Sequence, residues 1–492
     1  MIRRMLHAII LLAAAVFVVR VAVVARDFNK VVTNASFEAA RDNHTGLRAF
    51  LHRMPKGGDL HTHLSGAVYA ERFIAWAAEQ NLCADPANVL LSKSHCDLPA
   101  DMPVADAMHD QHLYDQLVNA FSTRSFVPTV AVPTDHDKFF DAFGKFAEGS
   151  GSRFVDMMLD QLRNYHSENV QYVEFMVSFS CWDDRAKFVS AMAGRTDDAG
   201  RLASLQANGL DECVAAKRDD LIAASEKIRN DLACDPQRTR PGCAVSFRYI
   251  AQILRNSTPD EVFLQTAIAA ALIRAEPQVV ALNLVQAEDN LVARRDYTRH
   301  MEIVAFLARD VKVSLHAGEL WLGYVPPPDL TFHIGQAIEI GNARRIGHGV
   351  DLAFEHDMEG LLAEMRRRPV AVEINLSSNA IILGVHGKDH PLATYMAAGV
   401  PVVISTDDAG VSRINMTNEY FRAVHNQGLD YPTLKAIARN ALIYSFLDED
   451  QKRSELERFD QSYIDFERSV ARRCSFGQKA AALLKATAIL RF

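Results

Sequence analysis

Two histidines one residue apart, His61 and His63 in "GGDLHTHLSG", are the first residues of this 492-residue chain whose spacing points to chemistry. In an extended strand, residues i and i+2 face the same side. Both imidazoles would then project together and begin a metal site; the alternative is a hydrogen-bonded pair of core histidines. His316 in "VSLHAGE" adds a third imidazole and Asp407 in "STDDAG" a carboxylate. That donor set suits one divalent ion such as zinc, with a position left for water. Glu319 follows His316 by three residues. A turn at Ala317 and Gly318 would bring its carboxyl back to shuttle protons; otherwise it caps the next helix. His348, between Gly347 and Gly349 in "RIGHGVDL", reads as a ligand or as a base that orients water. Asp408 adjoins Asp407, and neighbours on a strand point oppositely. One would ligate while the other binds water or substrate; two solvated loop aspartates are the alternative. The run "VVALNLVQ" does not end in the lysine of a carbamate-bridged two-metal site, which favours a single ion.

These residues need a scaffold. Each sits at the end of a short apolar run, and eight such runs follow one another: "DLHTHLSG", "VQYVEFMV", "VSFRYIAQIL", "VVALNLVQ", "VSLHAGE", "RIGHGVDL", "VAVEINLSSN" and "VVISTDDAG". Helical periodicity separates them, as in "HIGQAIEIGNA" and "DMEGLLAEMRRR". Near-continuous apolar strands alternating with helices predict a parallel sheet covered on both faces. Eight such units predict a closed (β/α)8 TIM barrel, whose active site lies at the carboxyl ends of the strands. Closure would set strand eight beside strand one, and so Asp407 beside His61 and His63. The long first connection, from about Tyr69 to Phe146, predicts a helical lid over the barrel mouth. The second, from about Cys181 to Cys243, reads as peripheral solvated helices.

The chain divides into a leader (1–25), an N-terminal helical extension (26–53), the barrel (54–466) and a C-terminal helical tail (467–492). The leader has a basic start, "MIRRM", an apolar centre and small residues ending at Ala25, as in a secretory signal peptide. Arg20 cuts the apolar run short of the roughly 20 residues of a spanning helix. The expectation is a secreted or periplasmic protein with no stable membrane span after cleavage, or an anchored one if the leader is kept. Seven cysteines fit that setting, with Cys83–Cys96 and Cys234–Cys243 as local bridges and Cys181, Cys213 and Cys474 open to being free buried thiols. A net charge of -8 argues against a nucleic-acid partner.

Taken in order, "MPKGGDLHTHLSG", "SLHAGE", "RIGHG" and "STDD" resemble the adenosine deaminase family of metal-dependent barrels. The likeness runs from about Met54 to Phe466 and includes "HDKFFDAFGKF", "EINLSSN" and "ARNALIYSFL". With its leader, the chain is similar to the extracellular branch of that family, without much of that branch's extra N-terminal domain. The resemblance implies one zinc ion per chain on His61, His63, His316 and Asp407. It implies that Glu319 protonates purine N1, while His348 and Asp408 position the attacking oxygen and Asp408 faces N7. Phe139, Phe140 and Phe143 would lie over the pocket, helix-core packing being their other use. The implied reaction turns adenosine or deoxyadenosine into an inosine-type product and ammonia. Two positions depart from the family. Ser65 replaces an aspartate that reaches the ribose 5′-hydroxyl, and Gln286 replaces a glycine whose N–H faces N3. The same chemistry on adenine, a 6-substituted purine nucleoside or AMP is therefore the first alternative, although no clear basic cluster awaits a phosphate. A non-catalytic extracellular binding protein is the second, and the complete set of metal and proton-transfer residues argues against it.

Overall fold

The computed structural model describes residues 27–85, 89–92, 96, 101–235 and 237–489. The leader read at 1–25 lies outside them. All eight apolar runs form parallel strands: β1 (Gly58–His63), β2 (Tyr172–Ser178), β3 (Ser246–Leu254), β4 (Val279–Val285), β5 (Lys312–Ala317), β6 (Arg345–His348), β7 (Ala371–Ile374) and β8 (Val402–Ile404). Their spatial order equals their chain order, so each strand pairs with the next. Closure is irregular. β8 ends before Asp407 and Asp408, and the seam is made by Asp407, whose N–H donates to His61 O at 2.9 Å while His63 N–H donates to Asp407 O at 3.3 Å. Asp407 is thus fixed against the end of β1 by backbone bonds before its side chain acts.

The barrel interior is not uniformly apolar. Arg345 opens β6 fully buried and reaches Glu174 Oε2 at 2.6 Å and Glu373 Oε1 at 2.5 Å. Buried charges are tolerated where paired and hydrogen-bonded, and this pairing leaves Glu373 free to serve a histidine above it.

After β1 the chain makes helices Ala70–Glu79 and Gln111–Ala120, a small antiparallel sheet of Cys83–Asp85, Leu90–Ser92 and Met102–Pro103, and helix Asp135–Ser150. Cys83–Cys96 staples that sheet. The last helix is capped by the Thr134 side chain, which accepts from Asp137 N–H, and its Phe146 stacks on Phe73 at 4.5 Å. The second insertion carries helices Arg185–Met192, Asp198–Ala207 and Leu210–Leu232 on the barrel wall. Cys234–Cys243 forms the expected local bridge. The reading of Cys181 and Cys213 as free thiols is corrected: they form a disulfide across 32 residues, which leaves Cys474 as the unpaired cysteine. The wall helices bring the two Cα atoms to 6.2 Å, a proximity no local turn signal announces.

Helices Phe28–Ala40 and His44–Arg53 precede the barrel, and Glu449–Arg473 and Phe476–Ile489 follow it. Val32, Ala471 and Ala482 form a small apolar cluster that joins a helix before the barrel to the two helices after it. The boundary expected at 466 falls within one continuous helix. Among the described residues no helix is long and apolar enough to cross a membrane.

Candidate active site

His61, His63, His316 and Asp407 meet at the carboxyl end of the barrel, each offering a ligand atom within 4.8 Å of the others. The far side of each imidazole is already committed. His61 Nδ1–H donates to Glu373 Oε2 at 2.7 Å. His63 Nδ1–H donates to Gln252 Oε1. His316 Nδ1–H donates to Asn283 Oδ1 at 2.9 Å. Such outer bonds fix the ring orientation and the tautomer. Three Nε2 lone pairs are left facing one another and a carboxylate; His63 Nε2 lies 3.3 Å from both His316 Nε2 and Asp407 Oδ1. His61 Nε2 and Asp407 Oδ1 are buried without a hydrogen-bond partner. Converging acceptors with no donor between them call for a cation, and three imidazoles plus one carboxylate fit a divalent metal ion with nitrogen and oxygen ligands. The electrostatics agree. Burial opposes a charge on His61, yet hydrogen bonds and charge from Asp407 and Glu373 outweigh it and lift the imidazole to about 10, so the site favours a positive charge at Nε2, which a metal ion would supply in place of a proton.

Around this cluster stand Glu319, His348 and Asp408. Gly318, at φ +72°, turns the chain after β5, and Glu288 accepts N–H bonds from Gly318 at 3.2 Å and Glu319 at 2.8 Å. The Glu319 carboxyl is thereby returned over the barrel. Burial, then the nearby Asp407 charge, push that carboxyl well above its usual range. The same two causes raise Asp408. Burial lowers His348 to about 3, so its imidazole is neutral. His348 and Asp407 adopt the left-handed backbone region, at φ +69° and +58°, which side-chain-bearing residues rarely occupy. Strain of this kind is retained where the surroundings over-determine a functional geometry. The simple strand alternation expected for Asp407 and Asp408 does not apply, because both lie beyond β8.

The glycines of the motifs are explained by space. A Cβ on Gly66 would lie 1.6 Å from Asp408 Oδ1, and one on Gly347 would lie 2.7 Å from His61 Cε1. Gly349 combines φ +59° with a Cβ position 2.5 Å from the Tyr395 hydroxyl. "HTHLSG" and "RIGHG" therefore pair each functional side chain with the glycine that makes room for another.

A cavity of about 640 Å³ opens onto the cluster, within the range of small-molecule sites. His63, His316, Glu319, Asp407 and Asp408 line its buried end, and His61 and His348 are buried outside the lining. Phe139, Phe140 and Phe143 line it and also pack on one another, with Phe139 5.1 Å from Phe140 and 5.7 Å from Phe143, so cover and helix packing are the same contact. Ser65 and Gln286 line it too. Gln286 occupies a glycine-like conformation at φ +83°, and its side chain is tied down by accepting from Asn256 N–H at 3.0 Å. The larger side chain is thus anchored rather than loose in the pocket.

Gln252, Asn283, Glu288, Glu373 and Asn379 escaped the sequence reading. Three of them had a visible signal: a lone polar residue within an apolar strand, as in "YIAQIL", "VALNLV" and "VAVEIN".

Residues 230–462 match the family model described as adenosine deaminase. Adenosine deaminase 2 of Sus scrofa is 32% identical over 197 residues, 39% of this chain and 37% of that protein. An adenine deaminase of Rhizobium leguminosarum is 29% identical over 226 residues, 45% of this chain and 64% of that protein. The chain thus spans less than two thirds of these curated relatives. In fold, the apo N6-methyl-AMP deaminase of Arabidopsis thaliana superposes with a TM-score of 0.55 at 18% identity, covering 84% of this chain and 98% of that one. The matched segment holds His316, Glu319, His348, Asp407 and Asp408. His61 and His63 precede it in sequence, and barrel closure brings them to it. The carboxyl-terminal part of the barrel, with five of the site residues, is thus similar to the adenosine deaminase family, and the whole barrel shares its fold with a solved deaminase.

Proposed function

We propose that this chain is a zinc-dependent hydrolytic deaminase of 6-aminopurine nucleosides that converts adenosine or deoxyadenosine to the inosine-type product and ammonia. One observation carries the reading: three imidazole Nε2 atoms and Asp407 converge at the buried end of a cavity walled in part by Phe139, Phe140 and Phe143, beside two carboxyls whose burial favours the neutral acid. When bound there by His61, His63, His316 and Asp407, zinc supplies Lewis acidity and a nucleophile at neutral pH, lowering the pKa of water to about 7.

The chain's own groups do the rest. As oxygen bonds to purine C6, electron density moves onto N1. Glu319, held as the neutral acid, gives its proton there when it stabilises the transition state most. Asp408, also favoured as the acid, faces N7 as a hydrogen-bond donor, and the Gln286 N–H faces N3. The proton of the added hydroxyl then passes to N6, the C6–N6 bond breaks as the C6 carbonyl forms, the nitrogen leaves as ammonia, and the proton given up by the incoming water restores Glu319. Phe139, Phe140 and Phe143 keep bulk water from the base, which strengthens every charge interaction within.

The cavity lining supports a nucleoside over a nucleotide. Among the described residues it contains no lysine or arginine, whereas Asp137 and Asp289 stand in it. A phosphate dianion there would meet like charge. The leader sequence and three disulfides support a secreted or periplasmic setting.

Incubating the zinc-loaded protein with adenosine, deoxyadenosine, adenine and AMP, while following purine absorbance and ammonia release, tests the proposal. Turnover of both nucleosides is expected. No turnover of any aminopurine overturns the enzyme reading, turnover of adenine alone overturns the nucleoside reading, and preference for AMP overturns the charge argument.

A further inference from the structure

We infer that His390 is a positioning residue for the active site: acting through Asn379, it fixes His348 as the tautomer that presents an N–H, not a lone pair, to the reacting centre. This deepens the deaminase reading above and rests on it. His390 follows the short turn Gly387–Asp389 and precedes helix Leu392–Ala397; Asn379 lies on helix Leu376–Ile382, directly after β7. Exposure of His348, Asn379 and His390 is 0%, 0% and 2%.

The hydrogen-bond chain starts from a donor that cannot change. The Leu392 backbone N–H donates to His390 Nδ1 at 3.2 Å. A ring nitrogen that accepts carries no proton, and burial holds His390 neutral, lowered to about 4. Its one proton is therefore on Nε2, which donates to Asn379 Oδ1 at 3.1 Å. With its oxygen engaged, the Asn379 amide turns its nitrogen to His348 Nδ1 and donates at 2.9 Å. The Asn375 amide nitrogen approaches the same atom at 3.4 Å. Glu319 Oε1 also lies 3.4 Å from Nδ1 but has no hydrogen-bond partner. His348 Nδ1 thus accepts, and the ring proton sits on Nε2.

That Nε2 is buried, lacks a hydrogen-bond partner and lies 3.9 Å from Asp407 Oδ2. Glu319, His348 and Asp407 are close enough to form a second metal-binding group. The relay leaves His348 no free lone pair for it: Nδ1 accepts from Asn379 and Nε2 bears the proton. His348 instead donates to the oxygen that attacks C6. The sequence left His348 open between ligand and water-orienting group, and a residue 42 positions downstream decides between them.

Three variants of the zinc-loaded protein test this. Asn379→Asp puts an acceptor against His348 Nδ1 and reverses the relay. His390→Leu removes its source, and His390→Gln keeps an N–H near the position of Nε2. We expect Asn379→Asp and His390→Leu to lower kcat on adenosine roughly 10- to 100-fold, with KM and zinc content little changed and with His390→Gln restoring most of the rate. Nitrogen-15 NMR of the ring nitrogens should show His348 protonated at Nε2 in the wild type and at Nδ1 in Asn379→Asp. Wild-type kcat in Asn379→Asp, or a wild-type His348 protonated at Nδ1, overturns the inference. If a variant fails to fold, the wild-type spectrum alone decides. If the wild type deaminates no aminopurine, the functional reading falls, while the spectrum still tests the relay.

Discussion

A carboxyl group in water is a poor proton donor at neutral pH, because it has already lost its proton. Glu319 escapes this by burial at the end of the cavity and by sharing the site with Asp407, whose own carboxyl is ionised: burial opposes that charge, but the close contacts with His61 and His63 outweigh it and hold it well below its usual range. One carboxylate is kept charged and its neighbour neutral, which separates ligand from acid. Glu319→Gln preserves shape and removes the transferable proton. We expect the variant to fold, to keep its zinc by elemental analysis and to lose roughly 10²- to 10⁴-fold in kcat. A near-normal rate would remove Glu319 from the proton-transfer role. The residue roles were readable in the sequence only as alternatives, since a histidine or glutamate at a strand end looks the same whether it ligates, donates or caps.

Elements place these residues and set how they respond to pH. Helices Leu376–Ile382 and Met416–His425 follow β7 and β8, and Glu419 joins them by accepting from Ser377 N–H at 3.1 Å and from the Ser377 hydroxyl. Burial raises Glu419 from 4.5 to about 7, outweighing those bonds. The folded protein then holds a proton that the unfolded chain releases between these values. Its contribution to stability is complete below about pH 4.5 and is lost as pH rises through about 7. Glu419→Gln can keep both contacts with Ser377, its amide oxygen accepting and its nitrogen donating to the hydroxyl. Denaturant midpoints measured across this window should fall less steeply with pH in Glu419→Gln than in the wild type, and equal slopes would contradict the assignment. All eight strands were legible as runs of Val, Ile, Leu and Phe. The pairing of Glu419 with Ser377 was not, because it joins residues 42 apart on helices whose packing the sequence does not spell out.

For the whole molecule, the metal site and the cross-links are the long-range devices. A ligand that binds only the folded state stabilises it by about 2.7 kcal/mol when its free concentration is about 100 times Kd. Chelation should therefore lower the thermal unfolding midpoint, and zinc should restore it; a midpoint indifferent to both would argue against the cation site. The Cys181–Cys213 bridge closes a loop of 32 residues. Cys181→Ser should cost roughly 2–4 kcal/mol in unfolding free energy under oxidising conditions. The same loss on mutating Cys474, which is unpaired, would show that the effect is not the cross-link.

The sequence by itself determined the strand count, the barrel class, the histidine and aspartate positions and the order in which they occur. All of these follow from local periodicity and from residue types whose chemistry is narrow. It could not determine what stands behind each of them. Glu373 under His61, Asn283 under His316, Gln252 beside His63 and the relay from His390 to His348 are contacts across the barrel or between loops. Barrel closure and loop packing create those contacts, and they decide the tautomers. A histidine is thereby made a ligand or a donor according to which of its two nitrogens the fold has already occupied.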